Sequence, residues 1–353
     1  MVPVRLRDAI QAIPAYKQGR PAPEGGFKLS SNENPFPPLP SVVDAIVEQA
    51  ATVNRYPAAG APSLVAALAA KHGVAPERIM VSDGSVSGIM QLVTAVAGPG
   101  DEVVFAWRSF EAYPLLVQVA GATPIMVPLT PTAEHDLDAM AAAITERTRA
   151  VFVCSPNNPT GPIVTQEQWD AFIAKVPSDV LVMLDEAYIE FVQVPVVDGL
   201  AAQAAHDNVV ILRTFSKAYG LAGLRVGYAI GDPTIIGAAT ISGIPLSVTG
   251  LATQAALASI AAEGELFARV EQLAADRDAL QQRLADAGTP VPEAHGNFVW
   301  VAARPDQAEA IAEILDDVAI VARQFPDGVR ITVAEREAHD GIVDAVRRIR
   351  ELA

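Results

Sequence analysis

The sequence predicts an α/β fold: a large three-layer domain built on a mostly parallel sheet, followed by a smaller α/β domain. Three observations predict it. Seven short runs, RIMVS, EVVFA, TPIMV, AVFVC, VLVML, VVILR and VGYAI, are apolar throughout instead of alternating with polar residues, which is the pattern of strands buried on both faces. Helical patterns such as SVSGIMQLVTAVA, SFEAYPLLVQVAG and EQWDAFIAKV fall between the runs, and that rhythm places helices on both sides of a parallel sheet. The length of 353 residues exceeds what one core usually takes, while 51% apolar and 19% charged residues make a folded composition.

Taken in order, the first forty residues read as an N-terminal arm (1–40) of turns, with IPAYKQGRPAPEGG and SSNENPFPPLP rich in Pro and Gly. Such an arm orders only where it packs on something. Ser41 is expected to cap an amphipathic helix, SVVDAIVEQAA, and a second helix, SLVAALAAKHG, follows Pro62. The strand–helix alternation then fills the large domain, 41–245. Around Gly243 to Gly250 the character changes, and a charged helical stretch from about Gly264 to Ala287 reads as a linker helix leaving the sheet. NFVWVAA, a helix near DQAEAIAEILDDV, AIVARQF, VRITVA and a terminal helix in REAHDGIVDAVRRIREL form the smaller domain, 246–353.

The net charge of −16 leaves no basic footprint for nucleic acid or an anionic membrane surface. No apolar stretch is long enough to span a bilayer. The start, MVPVRLRDAI, lacks an apolar signal core, and a single cysteine, Cys154, rules out an internal disulfide framework; both point to the cytoplasm. Cys154 ends the run AVFVC and reads as a small core residue. The five histidines show no metal-ligand spacing, so no metal is expected.

In an open parallel sheet, ligands sit beyond the carboxyl ends of the strands. Five segments follow the strands: DGSVSG, WRSFEAY, SPNNPTG, DEAYIEF and TFSKAYGLAGLR. Gly84, Ser85 and Val86 open a helix, whose N-terminus suits a phosphate. Asp185 sits at a strand end, where a buried carboxylate needs a cationic partner. Lys217 follows a buried strand with no acid in the segment TFSKAYGLAGLRVGY to neutralise it. Each alone has an ordinary structural reading: a βα turn, a helix cap, a surface lysine. Together, a phosphate cradle, an acid, an amide, a phenol, a lysine and an arginine describe one ligand, pyridoxal 5′-phosphate.

The blocks SNENP, NRYP, SPNNPTG, DEAYIEF, TFSKAYGLAGLRVGY and VRITVA, in that order, carry a family resemblance over essentially the whole chain. The sequence resembles the fold-type I pyridoxal-phosphate-dependent aminotransferases, within the histidinol-phosphate and aromatic aminotransferase branch. The resemblance implies that Lys217 is the Schiff-base lysine and proton shuttle, and that Asp185 pairs the pyridinium nitrogen. It assigns Asn158 and Tyr188 to the ring's phenolic oxygen and Phe110 to stacking on the ring. Gly84, Ser85, Val86, Ser216 and Arg225 are assigned to the phosphate, with Thr214 among the cofactor-binding residues. Tyr56 matches a tyrosine reaching the phosphate from a neighbouring subunit, which implies a homodimer with shared sites. Arg330 matches the clamp on the substrate α-carboxylate. Tyr16 and Asn34 lie in the arm on the substrate side, and Arg323 matches a side-chain-recognition arginine of histidinol-phosphate enzymes.

Departures from the pattern include Arg108 in WRSFEAY, the missing acidic pair after Ser85–Val86, and the short spacer with Phe325 in ARQFPDGVRITVA. They resemble the actinobacterial aromatic (phenylalanine) aminotransferases more than the biosynthetic histidinol-phosphate enzymes. The function implied is amino transfer from an aromatic L-amino acid to 2-oxoglutarate, with histidinol-phosphate transfer as the alternative. Trp107, Tyr16 and Phe325 are candidates for aromatic surface in the site, or for plain core packing.

Overall fold

The computed structural model describes residues 4–11, 13 and 20–352. The arm contributes one short strand, β1 (Phe27–Leu29). The seven apolar runs follow as β2 (Ile79–Ser82), β3 (Glu102–Trp107), β4 (Thr123–Pro128), β5 (Thr148–Cys154), β6 (Leu181–Asp185), β7 (Val209–Thr214) and β8 (Gly227–Ile230). They make one sheet in the order β2-β8-β7-β6-β5-β3-β4. Strand β8 runs antiparallel to both β7 and β2, and the other pairings are parallel.

Burial on both faces explains the apolar runs. Val103 and Phe105 of β3 join one core with Leu92 and Leu116, from the helices Ser85–Val96 and Ala112–Ala120. Val104 and Ala106, pointing the other way, join a second core with Trp169 and Phe172 of the helix Gln166–Ile173. Successive strand residues face opposite sides, so a strand covered on both sides carries no polar alternation.

The remaining strands, β9 (Phe298–Ala302), β10 (Ile320–Phe325) and β11 (Gly328–Thr332), form a second sheet with β1, in the order β1-β10-β11-β9. Strand β1 pairs parallel to β10. The arm read as turns therefore supplies an edge strand, through three residues too few to show a period.

One further reading changes. The first long helix begins at Pro40, with Leu39 at its cap position and no side-chain cap bond. Ser41 lies inside the first turn, because Pro40 takes the position where a missing N–H costs least. Along the helix Glu263–Asp286 the packing passes from one core to another. Ala252, Ala255 and Ala256 of the helix Gly250–Ala261 share a core with Val42, Leu64, Leu266 and Leu273, whereas Leu280 and Leu284 join Leu29, Val301 and Ile331. No helix among the described residues is long and apolar enough to cross a membrane.

Candidate active site

The carboxyl ends of β5, β6 and β7 open on a cavity of about 190 Å³. Ser85, Val86, Phe110, Asn158, Asp185, Tyr188, Thr214, Ser216, Lys217, Arg225 and Arg330 all line it. Eleven of the residues singled out in the sequence thus converge on one space. A larger cleft of about 770 Å³ lies elsewhere, bounded by residues such as Pro131, Pro162, Pro195 and Pro292. It gathers none of these residues, so size alone does not mark the site.

Asp185 ends β6 and is 4% exposed. Its Oδ2 accepts a 2.6 Å bond from the Tyr113 hydroxyl, and its Oδ1 accepts from the Ala187 N–H at 3.1 Å. Burial pushes the carboxyl's pKa up, while these two donors pull it back. Among the described residues its hydrogen-bond donors are a hydroxyl and an N–H, so the cation expected for this acid is not supplied by a neighbouring side chain. Tyr113 is fully buried, stacked on Phe152 at 4.3 Å and edge-on to Phe110 at 5.5 Å. Sequence reasoning missed it; the available signal was that a buried tyrosine hydroxyl normally finds a partner.

Lys217 lies three residues past the end of β7 and opens on the cavity. Its Nζ donates to the Ser31 carbonyl at 2.9 Å. Burial, helped by the nearby charges of Arg330 and Arg225, lowers its pKa from 10.5 to about 7. A substantial fraction of the amine is therefore unprotonated near neutral pH, as a nucleophile or proton acceptor requires.

Tyr188 faces Lys217, whose Nζ stands 5.8 Å from the ring centre. The Tyr188 hydroxyl accepts from Nδ2 of Asn32 at 2.9 Å. Asn32, in the arm, has a left-handed backbone (φ 52°), and its N–H donates to Oγ1 of Thr332 on β11. The arm is thereby pinned between Tyr188 and β11. Asn34 does not line the cavity; its amide donates to the Ala218 carbonyl at 3.0 Å and so ties the arm to the lysine loop.

The phosphate candidates sit where the helix Ser85–Val96 begins. Gly84 is its cap residue at φ 94°, and a Cβ there would collide with the Arg225 guanidinium. The positive φ favours glycine, and a Cβ would have to push the Arg225 guanidinium aside. Arg225 Nη1 reaches Oγ of Ser216 at 3.3 Å, and Oγ1 of Thr214 accepts from the Ser216 N–H. The free N–H groups of the helix start, a hydroxyl and a guanidinium make an anion cradle.

On the other side, Arg330 is buried on β11. Its Nη1 donates to Oδ1 of Asn158 at 2.6 Å and its Nη2 to the Ser30 carbonyl at 2.7 Å. Arg323 pairs with Glu111, which was not foreseen: Nη2 and Nε lie 2.6 and 3.2 Å from Oε2. Glu111 lines the cavity and Arg323 does not. Tyr56 stands 87% exposed, away from the cavity of its own chain. Trp107 and Phe325 do not line the cavity either. The Arg108 guanidinium lies 4.3 Å from the Trp107 ring and 5.5 Å from that of Phe325, and Phe325 packs on Trp300. Tyr16 lies outside the described residues. Cys154, read as core, is buried and also borders the cavity, opposite Asp185 in the β5–β6 pairing. No group of three or more potential metal ligands occurs among the described residues.

An acid, a depressed lysine, an anion cradle and a buried arginine around one cavity define an enzyme of the transaminase class. The family model described as aminotransferase class I and II matches residues 24–346, and the chain belongs to that family. It is 47% identical over 352 residues to an aromatic amino acid aminotransferase of Streptomyces avermitilis, covering 98% of each chain. It is 49% identical over 340 residues to one of Rhodococcus jostii, covering 96% of this chain and 94% of that one. A histidinol-phosphate aminotransferase from Sinorhizobium meliloti, solved in complex with pyridoxal-5′-phosphate, has the same fold, with a TM-score of 0.87 and 28% identity. That match covers 99% of this chain and 98% of that one.

Proposed function

We propose that this protein is a pyridoxal 5′-phosphate-dependent aminotransferase that moves the amino group of an aromatic L-amino acid to 2-oxoglutarate. The observation that carries the proposal is Lys217, an amine with its pKa lowered to about 7, sharing one cavity with the buried carboxylate of Asp185. The curated relatives named as aromatic amino acid aminotransferases support the substrate class.

The residues fit the cofactor. Asp185 is a buried acid that accepts from a hydroxyl and an N–H, and a protonated ring nitrogen would complete it. The Gly84 turn, kept open by the absence of a Cβ, suits the phosphate together with Ser85, Val86, Ser216 and Arg225. Phe110 offers a ring face, Thr214 holds the Ser216 turn, and Asn158 and Tyr188 bring an amide and a phenol. When bound, the cofactor supplies an electron-accepting ring that eases loss of the substrate's α-proton.

Lys217 then has two tasks. Its amine would hold the cofactor, and it is placed to carry the proton lost from the substrate α-carbon. Burial keeps it basic enough to accept that proton and weak enough to return it. Arg330 holds the α-carboxylate common to donor and acceptor, its fork set by Asn158 and the Ser30 carbonyl. Tyr56, exposed in its own chain, completes the phosphate site of a second copy, so the working unit is a homodimer. The cytoplasm is the proposed location. Histidinol-phosphate transfer is the second reading, favoured by Arg323 standing beside Arg330 and opposed by Glu111, which already pairs with it.

Purified protein loaded with cofactor is expected to form L-glutamate from L-phenylalanine and 2-oxoglutarate. Lys217→Ala should reduce that rate at least about a hundredfold. No glutamate from any aromatic amino acid would overturn the proposal.

A further inference from the structure

The groups that would grip the cofactor hang from two neighbouring strand ends. Asp185 closes β6, while Thr214 closes β7 and leads into Ser216 and Lys217. The two strands pair in parallel, with Asp185 opposite Leu212. The Glu186 N–H donates to the Leu212 carbonyl at 2.9 Å and carries that pairing one residue further. A side-chain contact then crosses the same gap. Arg213, the residue before Thr214, places Nε and Nη2 each 2.8 Å from Oε2 of Glu186, the residue after Asp185. The Glu186 and Arg213 side chains are 1% and 15% exposed. Burial pushes the Glu186 carboxyl's pKa up, and the Arg213 guanidinium beside it pulls it back. Gly199 makes room for the carboxylate: a Cβ there would lie 2.3 Å from Oε1. A pair this dry contributes little net stability, because desolvating two charges costs about what their attraction returns. What it fixes is geometry, since two donors on one oxygen hold the strand ends at one spacing.

We propose that Glu186 and Arg213 are positioning residues, whose ion pair sets Asp185 against the Ser216–Lys217 turn at the spacing a rigid cofactor needs. This rests on the pyridoxal-phosphate reading of the site. A flat ring held at its nitrogen by Asp185, and at its aldehyde and phosphate by Lys217 and Ser216, cannot stretch. A small change in the separation of β6 and β7 therefore loosens one grip or strains another. Neither Glu186 nor Arg213 lines the cavity. The pair acts through the residues next to it in the chain, without touching the ligand.

The test separates positioning from stability. Glu186→Leu/Arg213→Met removes both charges and leaves no lone buried ion. Its cofactor-free urea midpoint should equal or exceed that of the wild type. Its Kd for pyridoxal 5′-phosphate, measured by equilibrium dialysis, should rise about tenfold or more. Its kcat should fall about tenfold or more, with KM for L-phenylalanine within about threefold, because Arg330 is untouched. Glu102→Gln is the control. It breaks the Glu102–Arg147 pair at the amino end of β3, and should lower the urea midpoint while leaving the cofactor Kd within about twofold. Should the double variant fail to fold, Glu186→Gln, which keeps the shape and an acceptor for Arg213, should raise the cofactor Kd about threefold or more at a midpoint no lower than that of Glu102→Gln. Wild-type cofactor affinity in a stable double variant, or an equal loss of affinity in Glu102→Gln, would overturn the proposal. A wild-type protein that binds no pyridoxal 5′-phosphate would sink the cofactor reading and this proposal with it. One that binds the cofactor and ignores phenylalanine would sink only the aromatic reading, and the Kd comparison would still decide the role of the pair.

Discussion

The Tyr113 hydroxyl donates a 2.6 Å hydrogen bond to Oδ2 of Asp185, and this bond orients the acid at the floor of the cavity. The ring is fixed by stacking on Phe152, so removing the hydroxyl should not move the ring. Tyr113→Phe therefore isolates one bond to a charged group, worth about 1.5–3 kcal/mol. The expected results are a fall in kcat of roughly tenfold or more, an upward shift in the acid limb of the pH–rate profile as Asp185 becomes more basic, and a lower denaturant midpoint at constant m. An unchanged pH profile would leave Tyr113 as core packing only.

The lowered pKa of Lys217 makes a stability prediction for the cofactor-free protein. The unfolded chain keeps the lysine proton up to about pH 10.5, and the folded chain only up to about pH 7. Folding thus releases a proton across that window, and this group's contribution to stability rises with pH within it. Below about pH 7 its full penalty stands. Lys217→Met should stabilise the cofactor-free protein by on the order of a few kcal/mol at neutral pH. The advantage should shrink below about 1 kcal/mol by pH 10. A pH-independent advantage, measured by urea unfolding, would mean that the lysine's charge is not the cause.

Asn32 ties the arm to Tyr188 on one side and to Thr332 and Asn297 on the other. Asn32→Ala removes two buried side-chain bonds at about 1 kcal/mol each and adds a left-handed backbone penalty of about 1 kcal/mol. Asn32→Gly loses the bonds without that penalty. Thermal or denaturant unfolding should therefore rank the wild type above Asn32→Gly, and Asn32→Gly above Asn32→Ala.

Much of this was legible in the sequence, for physical reasons. Strands buried on both faces lose their polar alternation, so the seven runs stood out, and the positions beyond their ends located Lys217, Asp185 and Asn158. The direction of β8 was not legible, because an apolar run carries no sign of which way it points. Strand β1 was hidden by its length. Glu111 and the Ser30 and Ser31 carbonyls escaped notice because their partners lie 186 to 300 residues away. Arg323 was recognised as a residue type in a pattern, yet its charge is answered by a glutamate that no local spacing connects to it.

The shared-site reading of Tyr56 predicts complementation. Tyr56→Ala and Lys217→Ala should each be nearly inactive. Mixed, refolded or co-expressed, half of the dimers pair one chain of each kind, and each such dimer holds one intact site. About a quarter of wild-type activity should return. No recovery, with mixed dimers verified by mass, would show that Tyr56 serves its own chain or none.

The central claim is tested most directly by titrating the cofactor-loaded protein with L-phenylalanine and, separately, with L-histidinol phosphate, while following the absorbance of the lysine-bound cofactor. The account predicts that phenylalanine discharges the lysine-bound form at a concentration at least tenfold lower. A preference for histidinol phosphate would contradict the aromatic assignment and place Arg323 on the substrate's phosphate in spite of Glu111.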